Sequence, residues 1–163
     1  MLEIHPTARI SPLADLEDSQ RGTRLVVGPG SVIDSFVKVK PAGGNGDVII
    51  GADCVINSGC VLYTGHGIVL GNGVAIAANC TLAATNHAYA DGRIPIRSQG
   101  FLPSRGGIHI GDDVWIGANC VLLDGCRIGT GVVVGAGSLV RGTLEPYGVY
   151  WGQPLQLQQW RER

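Results

Sequence analysis

Between Ile108 and Val140 the chain reads IHIGDDVWIGANCVLLDGCRIGTGVVVGAGSLV, and a branched aliphatic returns at every sixth position from Ile110 through Ile116, Leu122, Ile128 and Val134 to Val140. The same spacing runs upstream through Leu70, Ile76 and Leu82, and, before two extra residues, through Ile50, Ile56 and Leu62. Further back come Val27, Ile33 and Val39, and before them Ile4, Ile10 and Leu16. A period of six fits neither a helix nor a plain half-buried strand. It fits a coil of three short strands and three turns, with one aliphatic pointing inward on each side. Three six-residue blocks then close one triangular turn. Stacked as parallel strands roughly 4.8 Å apart, six such coils make a prism about 30 Å long. The expected fold is all-β: a parallel β-helix, or hexapeptide-repeat solenoid, forming a single domain over 1–163. Its expected irregular parts are an excursion loop at 88–107 and a short C-terminal tail at 144–163.

The fourth residue after an anchor is the second inward position, close to a corner where only slim side chains fit. Ala8, Ala14, Ser31, Val37, Cys54, Cys60, Val74, Cys80, Val114, Cys120, Cys126, Val132 and Ser138 occupy it. All five cysteines fall in this slot, which makes them small buried hydrophobes rather than ligands or nucleophiles. Their spacings match no common zinc pattern, and an odd number of thiols suits a reducing compartment.

Composition narrows the function classes. A net charge of −1 with 15% charged residues gives no clustered cationic surface for nucleic acid. No apolar run approaches the roughly 20 residues of a transmembrane segment, and MLEIHPTARI lacks the basic flank and apolar stretch of a signal peptide. A cytoplasmic location is the expectation. Gly is abundant, 26 of 163 residues, beside 45% hydrophobic residues, which points to many short strands joined by tight turns.

The period fails between His87 and Ile108, in AYADGRIPIRSQGFLPSRGG. Interruptions of a solenoid map to loops on one face, often the binding face. Gly92, Pro95, Gly100 and Pro103 forbid a helix there, while Ile94, Ile96, Phe101 and Leu102 give the loop apolar surface to pack. Asn86-His87 stands at its root. A histidine held there by a rigid β scaffold can take and return a proton near neutral pH.

With those residues in hand, the sequence resembles the hexapeptide-repeat acetyltransferases, in particular the galactoside and maltose O-acetyltransferase branch and the acetyltransferases of surface-polysaccharide pathways. The resemblance rests on AANCTLAATNH, on the stretch quoted first, and on Gly152-Gln153-Pro154 near the end; it covers about Val48 to Pro154. It implies a left-handed coil, acetyl-CoA as acyl donor, and a homotrimer with active sites between neighbouring prisms. It implies His87 as the general base for direct transfer to a small-molecule or glycan acceptor. Asn57 and Asn86 would hold that acceptor, although Asn57 reads equally well as a turn residue after Ile56. Ala77, Trp115, Ala118, Ala136 and Arg141 match positions that contact CoA, with turn filling, outward packing or a solvated charge as their plainer readings. No metal is expected.

The sequence departs from the family in the group that orients the base. Ser98 stands where relatives often carry Glu, and Asp91 is a substitute candidate. The tail PLQLQQWRER is expected to form a short helix packing Trp160 on the last coil, with Arg161 and Arg163 solvated. Two other functions share this fold. A zinc enzyme of the carbonic-anhydrase kind would need three converging histidines, to be drawn from His5, His66, His87 and His109. A non-catalytic scaffold would need no base at all.

Overall fold

A computed structural model describes residues 1–162; Arg163 lies outside the described residues. Three parallel sheets form the walls of a left-handed β-helix. In the first sheet the inward residues stack as Ile4, Val27, Ile50, Leu70, Ile110, Ile128 and Leu144. In the second they are Ile10, Ile33, Ile56, Ile76, Ile116, Val134 and Tyr150. In the third they are Leu16, Val39, Leu62, Leu82, Leu122 and Val140. Every anchor of the six-residue period therefore pairs with its counterpart one coil away. Inward and outward residues alternate along a strand, so a slip of one residue would turn the whole aliphatic set to solvent.

The corner slot is as slim as the sequence requires. Ser31, Val37, Cys54, Cys60, Val74, Cys80, Val114, Cys120, Cys126, Val132 and Ser138 are buried, while Ala8 and Ala14, in the first coil, are partly covered. All five thiols are free. Four donate upward to a backbone carbonyl of the next coil: Cys54 to Gly71 and Cys60 to Ala77 at 3.1 Å, Cys80 to Gly117 at 3.1 Å and Cys120 to Gly135 at 3.2 Å. Corners also need left-handed backbone, supplied without glycine at Asp53 (φ 55°), Asn79 (60°), Asp113 (53°) and Asn119 (59°). Asp and Asn tolerate that region because their short polar side chains bond locally.

The C-terminus differs from expectation. The first part of the 144–163 stretch is not tail: Leu144 and Tyr150 begin a seventh coil, reached by a shortened turn after Val140. No helix follows. Gly152 (φ 106°) turns the chain, and Gln156–Trp160 returns as a strand antiparallel to Gly148–Trp151. The last strand of a solenoid presents unpaired backbone groups, and an antiparallel partner satisfies them where a helix would not. Trp160 stays 54% exposed instead of packing on the last coil. Arg161 is held rather than solvated, donating to Asp113 Oδ2 at 3.0 Å and to the Gly131 carbonyl at 2.8 Å. No helix of the described residues is long and apolar enough to cross a membrane.

Candidate active site

The excursion loop leaves the corner between the third and first sheets. Its neck is a short antiparallel contact. Leu102 N–H donates to the Asn86 carbonyl at 2.8 Å, Ala88 N–H donates to the Gly100 carbonyl at 3.0 Å, and His87 bridges Phe101 between them. The His87 and Phe101 rings lie 4.6 Å apart at 32°. Beyond the neck, Gln99 Nε2 closes the loop on the carbonyls of Asp91 and Ile94, around a single turn of 3₁₀-helix at Ile96–Ser98.

The returning end is fixed by Asp124, a buried residue of the fifth coil. One of its oxygens accepts the Arg105 N–H at 2.9 Å and the other the Gly107 N–H at 2.8 Å. Arg127 ties the same end from outside, donating to the carbonyls of Gly106 and Gly107, each at 3.0 Å. Gly107 is itself obligatory. It sits at φ 75°, and a Cβ there would fall 2.4 Å from the Gly67 carbonyl oxygen. The loop is thus a strapped flap on the solenoid wall.

Under it lies an open groove of about 300 Å³. Asn86, His87 and Arg141, three of the residues singled out from the sequence, share its wall. Tyr89, Arg105 and Asp124 share it too, and the sequence had not marked them. His87 is exposed, and its recorded side-chain contact among the described residues is the Phe101 ring. Asp91 does not orient it. That carboxylate is bound by Arg93 at 2.9 and 2.8 Å, which holds it below the usual carboxylate range. Ser98 sits in the 3₁₀ turn and is exposed. His66, one coil below at the same corner, has a buried Nε2 without a hydrogen-bond partner among the described residues.

The other marked residues occupy a different corner, between the second and third sheets. From the first coil upward, the two residues after each anchor there are Ser11-Pro12, Asp34-Ser35, Asn57-Ser58, Ala77-Ala78, Gly117-Ala118 and Gly135-Ala136. The lower half is polar and internally bonded. Ser58 Oγ–H donates to Asp34 at 2.7 Å, which keeps that carboxyl below its ordinary range, and Ser11 and Ser35 hydroxyls meet at 2.9 Å. Asn57 Nδ2 donates to the Ile76 carbonyl at 2.8 Å, a structural bond to the next coil. The upper half is a strip of Ala and Gly with nothing projecting from it. Trp115 stands beside it on the outer face of the second sheet, 53% exposed. The chain by itself does not bring Asn57, Ala77, Ala118 and Ala136 to His87.

Two family models match this chain. Residues 107–142 match the bacterial transferase hexapeptide (six repeats), and residues 47–84 match the hexapeptide repeat of succinyl-transferase. Two separate stretches of the chain thus match hexapeptide-repeat models. A probable acetyltransferase of Mycobacterium tuberculosis is 35% identical over 78 residues, 48% of this chain and 25% of that protein. A chloramphenicol acetyltransferase of Agrobacterium fabrum is 40% identical over 59 residues, 36% of this chain and 28% of that protein. These matches span a quarter to under a third of the curated relatives. Across the whole fold, the chain resembles the N-acyltransferase AntD of Bacillus cereus, solved with dTDP and 3-hydroxybutyryl-CoA. The TM-score is 0.82 at 24% identity, covering 99% of this chain and 84% of AntD. AntD has also been solved with dTDP-4-amino-4,6-dideoxyglucose and coenzyme A.

Proposed function

We propose that this hexapeptide-repeat protein is an acetyl-CoA-dependent acetyltransferase acting on a sugar or glycan hydroxyl, with His87 as general base. The observation that carries the reading is the placement of His87: a histidine with no competing polar partner, at the root of a strapped loop, facing a groove it shares with Arg141. The acetyltransferase names of the relatives and the CoA bound to AntD support it.

The chemistry needs one proton relay. The acceptor O–H gives its proton to the imidazole as its oxygen attacks the thioester carbonyl. The tetrahedral intermediate collapses with cleavage of the C–S bond, and the imidazolium returns the proton to the departing CoA sulfur. No covalent acetyl-enzyme is required, and the five buried thiols are out of reach of one. The same relay serves an amine acceptor, the group that the AntD ligand presents.

The division of marked residues between two corners supports a homotrimer with sites between neighbouring prisms. In a closed ring, the His87 corner of one copy faces the Asn57–Ala136 corner of the next. The Ala and Gly strip lets a pantetheine arm lie against backbone, with Trp115 beside it and Arg141 toward a CoA phosphate. Asn57 and the polar half of that corner fall toward the acceptor. The free thiols suit a reducing compartment, and the cytoplasm is the location this reading carries.

Calorimetric titration with acetyl-CoA and CoA, on wild type and His87→Ala, tests the proposal. Saturable binding retained in the variant is expected. Loss of acceptor-dependent CoA release in that variant, by about 10²-fold or more, identifies the base. Absence of binding to either ligand at millimolar concentration sinks the transferase reading and leaves the scaffold alternative. Sedimentation equilibrium decides the trimer.

A further inference from the structure

We infer that the groove beneath the loop is an anion site: the acceptor carries a phosphoryl group, and Arg105 is the residue that binds it. The inference deepens the proposed transferase reading and rests on it for the role of the bound molecule.

Four arginines of this fold are held by partners. Arg24 pairs with Asp47, Arg93 with Asp91 and Arg161 with Asp113, while Arg127 donates to the carbonyls of Gly106, Gly107 and Cys126. Among the arginines without a partner in the described residues, which include Arg9, Arg21 and Arg97, Arg105 and Arg141 are set apart by their place. Neither guanidinium makes a hydrogen bond or ion pair among the described residues, and both line the His87 groove. The one carboxylate sharing that wall, Asp124, is occupied by two backbone N–H groups and stands outside ion-pair distance of both. Two arginines without a partner among the described residues therefore line a space of about 300 Å³ together with His87.

Arg105 is also positioned rather than merely present. Its backbone N–H is clamped at 2.9 Å by the buried Asp124, and its Cβ packs over Gly125, where an added Cβ would approach to 2.8 Å. The stem is fixed while the fork is free, which is the arrangement a bidentate oxyanion contact needs. Tyr89, 68% exposed, adds a ring at the same opening for the body of a sugar. A phosphoryl group fits Arg105 better than a neutral hydroxyl does, because it offers that guanidinium negative charge and two oxygens at once, leaving Arg141 to a CoA phosphate.

Phosphate could reach Arg105 from either substrate, since CoA carries phosphates as well. The experiment separates the sources. Wild type, Arg105→Ala, Arg105→Lys and Arg141→Ala are titrated by calorimetry with thymidine diphosphate, glucose 1-phosphate, glucuronate and methyl glucoside, and separately with CoA. The expected result is binding of the two phosphorylated probes to wild type. Arg105→Ala weakens it by about ten- to a hundredfold, Arg105→Lys restores part of it, and the affinity for CoA does not change. Retained CoA binding also shows that the variant is folded. Three results overturn the inference: phosphorylated probes binding no better than methyl glucoside, glucuronate binding as tightly as they do, or Arg105→Ala weakening CoA instead. If CoA fails to bind wild type while thymidine diphosphate binds through Arg105, the transferase reading falls and the anion site stands.

Discussion

His87 and Phe101 face one another across the neck of the loop, their rings 4.6 Å apart and their backbones joined as an antiparallel bridge. The imidazole is thus held by ring packing, with no carboxylate bonded to it among the described residues. Phe101→Ala removes the ring and leaves the imidazole free to rotate. The expected outcome in steady-state kinetics is a fall in kcat of about tenfold with the KM for acetyl-CoA little changed, because a general base contributes about 10²–10⁴ when held in place. Phe101→Tyr keeps the ring and restores most of the rate. Equal loss in both variants would argue against an orienting role for the ring.

Asp124 is the latch of the loop. Each of its oxygens accepts a backbone N–H, from Arg105 and from Gly107. Asn at this position keeps the shape but turns one acceptor into a donor that faces an N–H. Asp124→Asn should cost about 1–3 kcal/mol, the penalty of a buried donor left without a partner. Thermal unfolding measures that loss. Limited trypsin digestion should show new cleavage after Arg93 or Arg97, and unchanged resistance there would show that the strap is held elsewhere.

The solenoid was legible because its physics is repeated: one aliphatic in every six residues, and a slim residue four positions later, leave a single register. Where the repeat stops, so does the reading. Leu144 follows Val140 by four residues rather than six, and this shortened turn disguised the seventh coil as tail. QLQQW carries no helical stripe and no buried alternation, and only the need to cover an open strand edge explains its pairing with Gly148–Trp151. His87 was marked by its place at the break. Arg105 and Asp124 were not, because their roles exist only once the loop has folded back, and the period says nothing about where a non-repeating segment returns.

The cysteines give a test that does not depend on activity. Burial pushes the Cys126 thiol up to about 12 and raises Cys54 as well. At pH 8 only ~1 in 10⁴ molecules holds Cys126 as the reactive thiolate. With all five thiols inside the prism, titration of the native protein with a disulfide reagent should release almost no signal over minutes. In denaturant all five should react. Rapid reaction of even one native thiol would mean that a corner opens.

Stability should vary along the prism as packing does. Ile76 lies in the middle of its column, fully buried between Ile56 and Ile116. Ile4 begins its column at the open end, has a neighbour on one side only, in Val27, and is 41% exposed. Truncating the first leaves a cavity that the flanking coils cannot close, since their backbones are fixed by hydrogen bonds above and below. Ile76→Ala should therefore cost about 2–5 kcal/mol, the range for a large aliphatic removed from a tight core. Ile4→Ala, which mostly removes surface that water already reaches, should cost well under half of that. Denaturant unfolding of the two variants measures the difference. Equal losses would mean that the first coil is covered in solution, and that its aliphatic end is an interface rather than a fraying edge.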